Sequence, residues 1–152
     1  ALTGDKYCEL ICDGFHVKPE MVRLIYKLTG VERLVLITDS MEATGCRDGN
    51  YSIAGMPVTV KNGKAYTTDG AIAGSTLSLI DGVKNLTEFC GARFEDAVNC
   101  ASENPAKMVG IFDEVGSIQA GKRADMLLLN PETYGIDLII CNGIQHVPGE
   151  FR

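Results

Sequence analysis

Two short apolar runs, each ending on an acid, with a helix-length segment between them, constrain this chain most. The first is Leu10-Ile-Cys-Asp13-Gly-Phe-His16 and the second is Leu34-Val-Leu-Ile-Thr-Asp39. Between them, Pro19 suits a first helical position and Glu20 the N-terminal end of a helix dipole. Met21, Val22, Ile25 and Leu28 mark one face, and Gly30 stands where a helix stops. Strand, helix and strand with short joints make a βαβ unit, whose strands are parallel. The pattern predicts strands over 7–12 and 33–38. Buried parallel strands deliver their polar ends to one edge of a sheet. Asp13, His16 and Asp39 are therefore expected side by side, at neighbouring C-terminal strand ends. An Asp and a His so placed suit polar or metal-assisted chemistry. The same residues also serve as a turn former, for Asp39, and as an ordinary surface histidine, for His16.

The texture then changes. Gly45, Gly49, Asn50 and Gly55 punctuate short segments and read as loops. Asn62-Gly63 between Val58-Thr-Val60 and Lys64-Ala-Tyr66 signals a hairpin, expected to be a structural flap without chemistry. A Gly-rich turn over 69–76 leads into a helix faced by Leu79, Val83, Leu86 and Cys90 and closed by Gly91. Such a turn either holds an anion or carbonyl at the helix N-terminus or is only a tight connection. Phe94, Ala97, Val98 and Ala101 mark a second helix. Asn104-Pro105 is expected to cap a third, short one ending at Gly110. In the tail, Ser117-Ile118, Ala124 to Leu129 and Leu138 to Cys141 read as strands of a small β unit.

Net charge narrows the partners. At −6 over 152 residues the chain disfavours nucleic acid and anionic membranes as general partners, while a local phosphate site stays possible. No apolar run is long enough to span a bilayer, and nothing reads as a secretory signal. Six scattered cysteines without a Cys-x-x-Cys pair suggest a reducing, cytoplasmic setting. Cys8, Cys12 and His16 recur every four residues, but Asp13-Gly14 interrupts them and no fourth metal ligand is evident. The first strand begins almost at Ala1, so the chain is expected to be a piece of something longer.

Four motifs resemble a known family. They are Asp13-Gly-Phe-His-Val17, Leu36-Ile-Thr-Asp-Ser-Met41, Asp69-Gly-Ala-Ile-Ala-Gly-Ser75 and Gly116-Ser-Ile-Gln-Ala-Gly-Lys-Arg-Ala-Asp-Met-Leu-Leu-Leu129. The first three together are similar to the N-acetylglucosamine-6-phosphate deacetylase family, and the last to the wider amidohydrolase superfamily. The resemblance implies an α/β fold: the C-terminal portion of a TIM-like (β/α)8 barrel over 1–112, and strands of a small β-sandwich over 113–152. It implies hydrolysis of the acetamide of N-acetylglucosamine 6-phosphate to glucosamine 6-phosphate and acetate. Asp39 would be the catalytic acid/base, moving a proton from a metal-bound water to the leaving amine. Asp13, Gly14, Phe15 and His16 would contact the sugar phosphate, and backbone groups of Ile72, Ala73 and Gly74 would line the pocket. The cofactor would be a divalent metal, zinc or similar, whose Glu and two His ligands have no counterpart here. A piece without them is expected to be inactive alone, and to form a homo-oligomer or to associate with a missing N-terminal part. Two other readings remain open: another amidohydrolase acting on a different amide, and a non-catalytic half-barrel that binds a sugar phosphate.

Overall fold

The computed structural model of the chain describes residues 4–130 and 132–149. Strands β1 (Cys8–Ile11) and β2 (Leu34–Ile37) pair in parallel, Cys8 opposite Leu34 and Ile11 opposite Ile37. Helix α1 (Pro19–Thr29) makes the crossover. No side chain caps its first turn; Pro19 at the start supplies the preset φ instead. Gly30, at φ 69°, closes it by donating its N–H to the Tyr26 carbonyl at 3.0 Å. Leu10 and its register partner Leu36 share one sheet face. They pack with Leu34, Cys12, Val22, Val83, Leu86, Ala97 and Cys100 in the main core. Three helices thus meet at the parallel pair: α1, α2 (Leu79–Cys90) and α3 (Phe94–Ala101). Fully buried Leu34 and Leu86 each contribute about 2 kcal/mol of apolar transfer.

A second sheet stands over the strand ends. It is an antiparallel meander of β3 (Gly49–Ile53), β4 (Met56–Lys61) and β5 (Lys64–Thr67). The expected hairpin is its β4–β5 half. Asn62 and Gly63, at φ 52° and 65°, give the two left-handed residues that a tight hairpin turn requires. Strand β3 replaces the expected loop: Gly49 and Asn50 are loop-forming types, yet they pair with Val60 and Thr59 of β4. Val58, Val60 and Ala65 turn inward, onto a satellite core with Ala43 and Ala73.

Helix α4 (Glu103–Met108) begins one residue before the expected cap. Asn104 does a different job: buried, it donates to the carbonyls of Val31 at 2.6 Å and Leu34 at 2.7 Å, tying α4 to the start of β2. The tail forms a third sheet, β6 (Met126–Leu129), β7 (Ile136–Cys141) and β8 (Ile144–His146), all antiparallel. Ser117 and Ile118 lie outside it, with Ile118 88% exposed.

The expected fold class, a C-terminal portion of a TIM-like barrel plus strands of a small β-sandwich, is corrected. Ordered elements run from Cys8 to His146, and among the described residues each of the three sheets pairs within this chain. The physical reason is local in the tail. Asn142 and Gly143, at φ 50° and 78°, fold β8 back onto β7, so the tail strands satisfy one another.

Candidate active site

Parallel register carries the ends of β1 and β2 to the same edge. Ile11 faces Ile37, and Asp13 and Asp39 each follow two residues later. At the first end, one Asp13 oxygen accepts the N–H groups of Phe15 at 2.8 Å and His16 at 2.9 Å. Its other oxygen lies 2.6 Å from His16 Nδ1. The Asp13–His16 pair is largely shielded, with side-chain exposures of 14% and 17%. A carboxylate at Nδ1 makes that nitrogen the donor and leaves Nε2 for another partner. Gly14, at φ 70°, lets the turn close on α2: a side chain there would meet the Phe89 ring at 3.1 Å. Asn85 of the same helix donates to the Cys12 carbonyl at 2.8 Å, bracing the strand end.

At the second end, Asp39 is exposed and adopts φ 51°, a left-handed conformation unusual for a residue with a side chain. The loop 72–77 holds it there. Ser75 N–H donates to the Asp39 carbonyl at 2.8 Å, and Ser75 Oγ donates to the Thr38 carbonyl at 2.5 Å. Met41 N–H returns to the Ser75 carbonyl at 2.9 Å, and Ser40 Oγ donates to the Leu77 carbonyl at 2.6 Å. Gly74, at φ 64°, passes so close that a Cβ would lie 3.3 Å from the Asp39 carbonyl oxygen. A cleft of about 420 Å³ opens here, lined by Asp39, Ser40, Glu42, Ser52, Ile53 and Gly74 among others.

The three expected pocket residues of the loop divide. Gly74 lines the Asp39 cleft, and Ile72 is exposed, outside the lining of that cleft. Ala73 is buried, and its N–H is committed to the Ala65 carbonyl at 3.1 Å. Upstream, the Thr67 hydroxyl donates to Asp69 and holds that carboxyl below the usual range. Sequence reasoning missed Ser75 as the clamp on Asp39, although it ends one of the quoted motifs. It also missed the contact of Phe15 with the hairpin, where the Phe15 and Tyr66 rings meet edge to face at 5.9 Å.

Among the described residues, no three His, Cys, Asp or Glu side chains gather to hold a metal ion. Asp39 and the Asp13–His16 pair do not by themselves make a donor set. Cys12 is no ligand candidate either: it is fully buried, and burial pushes its thiol up to about 12. No helix among the described residues is long and apolar enough to cross a membrane.

Known proteins share this fold. The profile of the Amidohydrolase family matches residues 4–145. N-acetylglucosamine-6-phosphate deacetylase of Bacillus subtilis (strain 168) is 42% identical over 144 residues, covering 94% of this chain and 36% of that protein. N-acetylgalactosamine-6-phosphate deacetylase of Escherichia coli O157:H7 is 41% identical over 124 residues, 82% of this chain and 33% of that one. The crystal structure of N-acetylglucosamine-6-phosphate deacetylase from Pasteurella multocida superposes with a TM-score of 0.91 at 29% identity, over 96% of this chain and 38% of that one. The chain thus spans about a third of the length of these relatives. A protein of E. coli (strain K12), 41% identical over 124 residues, is covered to 74% of its own length. The expectation of a C-terminal part that is inactive alone is corrected to family membership over nearly the whole chain. The profile and the superposition run through nearly the whole chain.

Proposed function

Because this chain belongs to the amidohydrolase family, we infer that the protein is a hydrolase that removes the acetyl group from an N-acetylated hexosamine 6-phosphate. Its products are acetate and the free amino-sugar phosphate. The observation that carries this reading is Asp39: a carboxylate at the end of a parallel strand, held in a strained backbone at the mouth of a cleft. Breaking an amide needs a proton removed from the attacking water and a proton given to the departing nitrogen. One carboxylate serves both steps, since it regains its charge when it protonates the amine. Asp39 is free to do so because its hydrogen-bonded clamp uses its carbonyl and leaves the side chain in the cleft.

His16 belongs to substrate binding in this reading. Asp13 fixes the imidazole, so that Nε2 presents a single, oriented contact to the sugar phosphate. Gly14 and Phe15 shape the same turn, and Gly74 lines the cleft at Asp39. Members of this family are generally metal-dependent. The relatives' names support both the gluco and the galacto sugar phosphates as substrates.

Acetate release from each of these two sugar phosphates tests the reading. Acetate and free amine should appear in equal amounts with at least one of them. Asp39→Asn should lower kcat about a hundredfold or more and leave KM nearly unchanged. Saturable binding without any acetate, or near-normal turnover in the variant, would refute it.

A further inference from the structure

We propose that the β4–β5 hairpin recognises the anionic end of the substrate, with Lys64 as its specificity-determining residue. The proposal rests on the amino-sugar phosphate reading above and gives the hairpin a role beyond that of a flap. In β5, Ala65 is buried, while Lys64 and Tyr66, two residues apart, share the opposite face. That face meets the Asp13–His16 turn. The Phe15 ring stands edge to face with Tyr66 at 5.9 Å and with His16 at 5.5 Å, and Lys64 Nζ lies 4.7 Å from its centre. One ring therefore separates the Lys64 ammonium from the His16 imidazole. The same strand reaches the other substrate segment, since Ala65 accepts the Ala73 N–H and Tyr66 bridges Ile72.

Charge points to what the ammonium is for. Lys61 lies directly opposite Lys64 across the hairpin, on the same face. Like charges so placed destabilise a sheet. Among the described residues neither lysine forms an ion pair with a carboxylate. Asp48, just before β3, is engaged elsewhere: its oxygens accept the N–H groups of Asn62 at 2.5 Å and Gly63 at 3.0 Å. A chain of net charge −6 thus keeps two unneutralised lysines together, one of them over the Phe15 ring that also meets His16. A phosphate dianion relieves this repulsion and takes charge-assisted hydrogen bonds from the ammonium. In its absence, the aromatic face of Phe15 holds Lys64 in position.

The test compares each N-acetylated hexosamine 6-phosphate with its unphosphorylated sugar, in the parent protein, Lys64→Met and Lys64→Arg. Lys64→Met should raise KM for the phosphate ester about tenfold with kcat little changed. It should leave KM for the plain sugar unaltered and flatten the salt dependence of kcat/KM. Lys64→Arg should restore most of the loss. An unchanged KM for the ester, or an equal rise for both sugars, would overturn the proposal. Calorimetry with glucosamine 6-phosphate separates this proposal from the deacetylase reading, because it needs no turnover. A complex about tenfold weaker in Lys64→Met supports the role of Lys64 even if no acetate is formed, and equal affinity refutes it even if acetate is.

Discussion

Asp39 occupies a conformation that costs a residue with a Cβ about 1–2 kcal/mol. Strain of this kind persists only where the surroundings hold it. Here the holding group is a second loop: Ser75 bonds to the carbonyls of Thr38 and Asp39, and Gly74 lies against Asp39 without a side chain between them. Gly74→Ala tests this arrangement. The new Cβ would face the Asp39 carbonyl at 3.3 Å while Ala is forced to φ 64°. We expect a loss of about 1–2 kcal/mol in urea unfolding. Turnover should fall by more than stability alone explains, because Asp39 is displaced. Normal kcat in a folded variant would show that the clamp is irrelevant to the carboxylate. The importance of Asp39 was legible in the sequence, as an acid closing an apolar run. Its clamp was not, because Ser75 is 36 positions away in the chain and meets Asp39 only through a bridge between Ser40 and Ser75.

Elements with a strong local signal came through the sequence well. Helix α1 starts at Pro19 and ends before Gly30, and α2 ends at Cys90 with Gly91 in a left-handed cap, as the punctuation indicated. Elements whose residues serve a distant partner did not. Asn104 looked like a helix cap, yet its amide spans from α4 to two carbonyls at the entrance of β2. Asn104→Leu keeps the branched outline of the side chain and removes both donors, leaving the Leu34 carbonyl without the amide and the Val31 carbonyl with the weak Cys100 Sγ contact at 3.7 Å. Each such loss costs about 1–3 kcal/mol when the group is buried. The variant should therefore unfold at clearly lower urea concentration, while the far-ultraviolet signature of the helices is retained. Unfolding at the parent midpoint would mean that water replaces the amide.

The main core carries a pH dependence that belongs to the molecule as a whole. Cys12 and Cys100 are both fully buried in it. Burial, aided by neighbouring thiols and acids, pushes each thiol from 9.0 up to about 12. In the unfolded chain these groups lose their protons near 9.0, so the unfolded state binds fewer protons than the native one between 9.0 and about 12. The stability they confer is complete below 9.0 and is lost as pH rises through that window. Urea midpoints should fall with rising pH above 9, and less so in a Cys12→Ala, Cys100→Ala variant. An equal fall in both proteins would assign the effect to other groups. By itself, the sequence determined the βαβ unit, the helix ends and the two acids at the strand ends, because short-range periodicity and turn chemistry act over a few residues. Tertiary structure decided the third strand before the hairpin, the self-pairing of the tail and the clamp on Asp39. It also decided the approach of Lys64 and Tyr66 to Phe15. These depend on contacts between segments tens of residues apart, whose pairing is set by which apolar faces can be buried together.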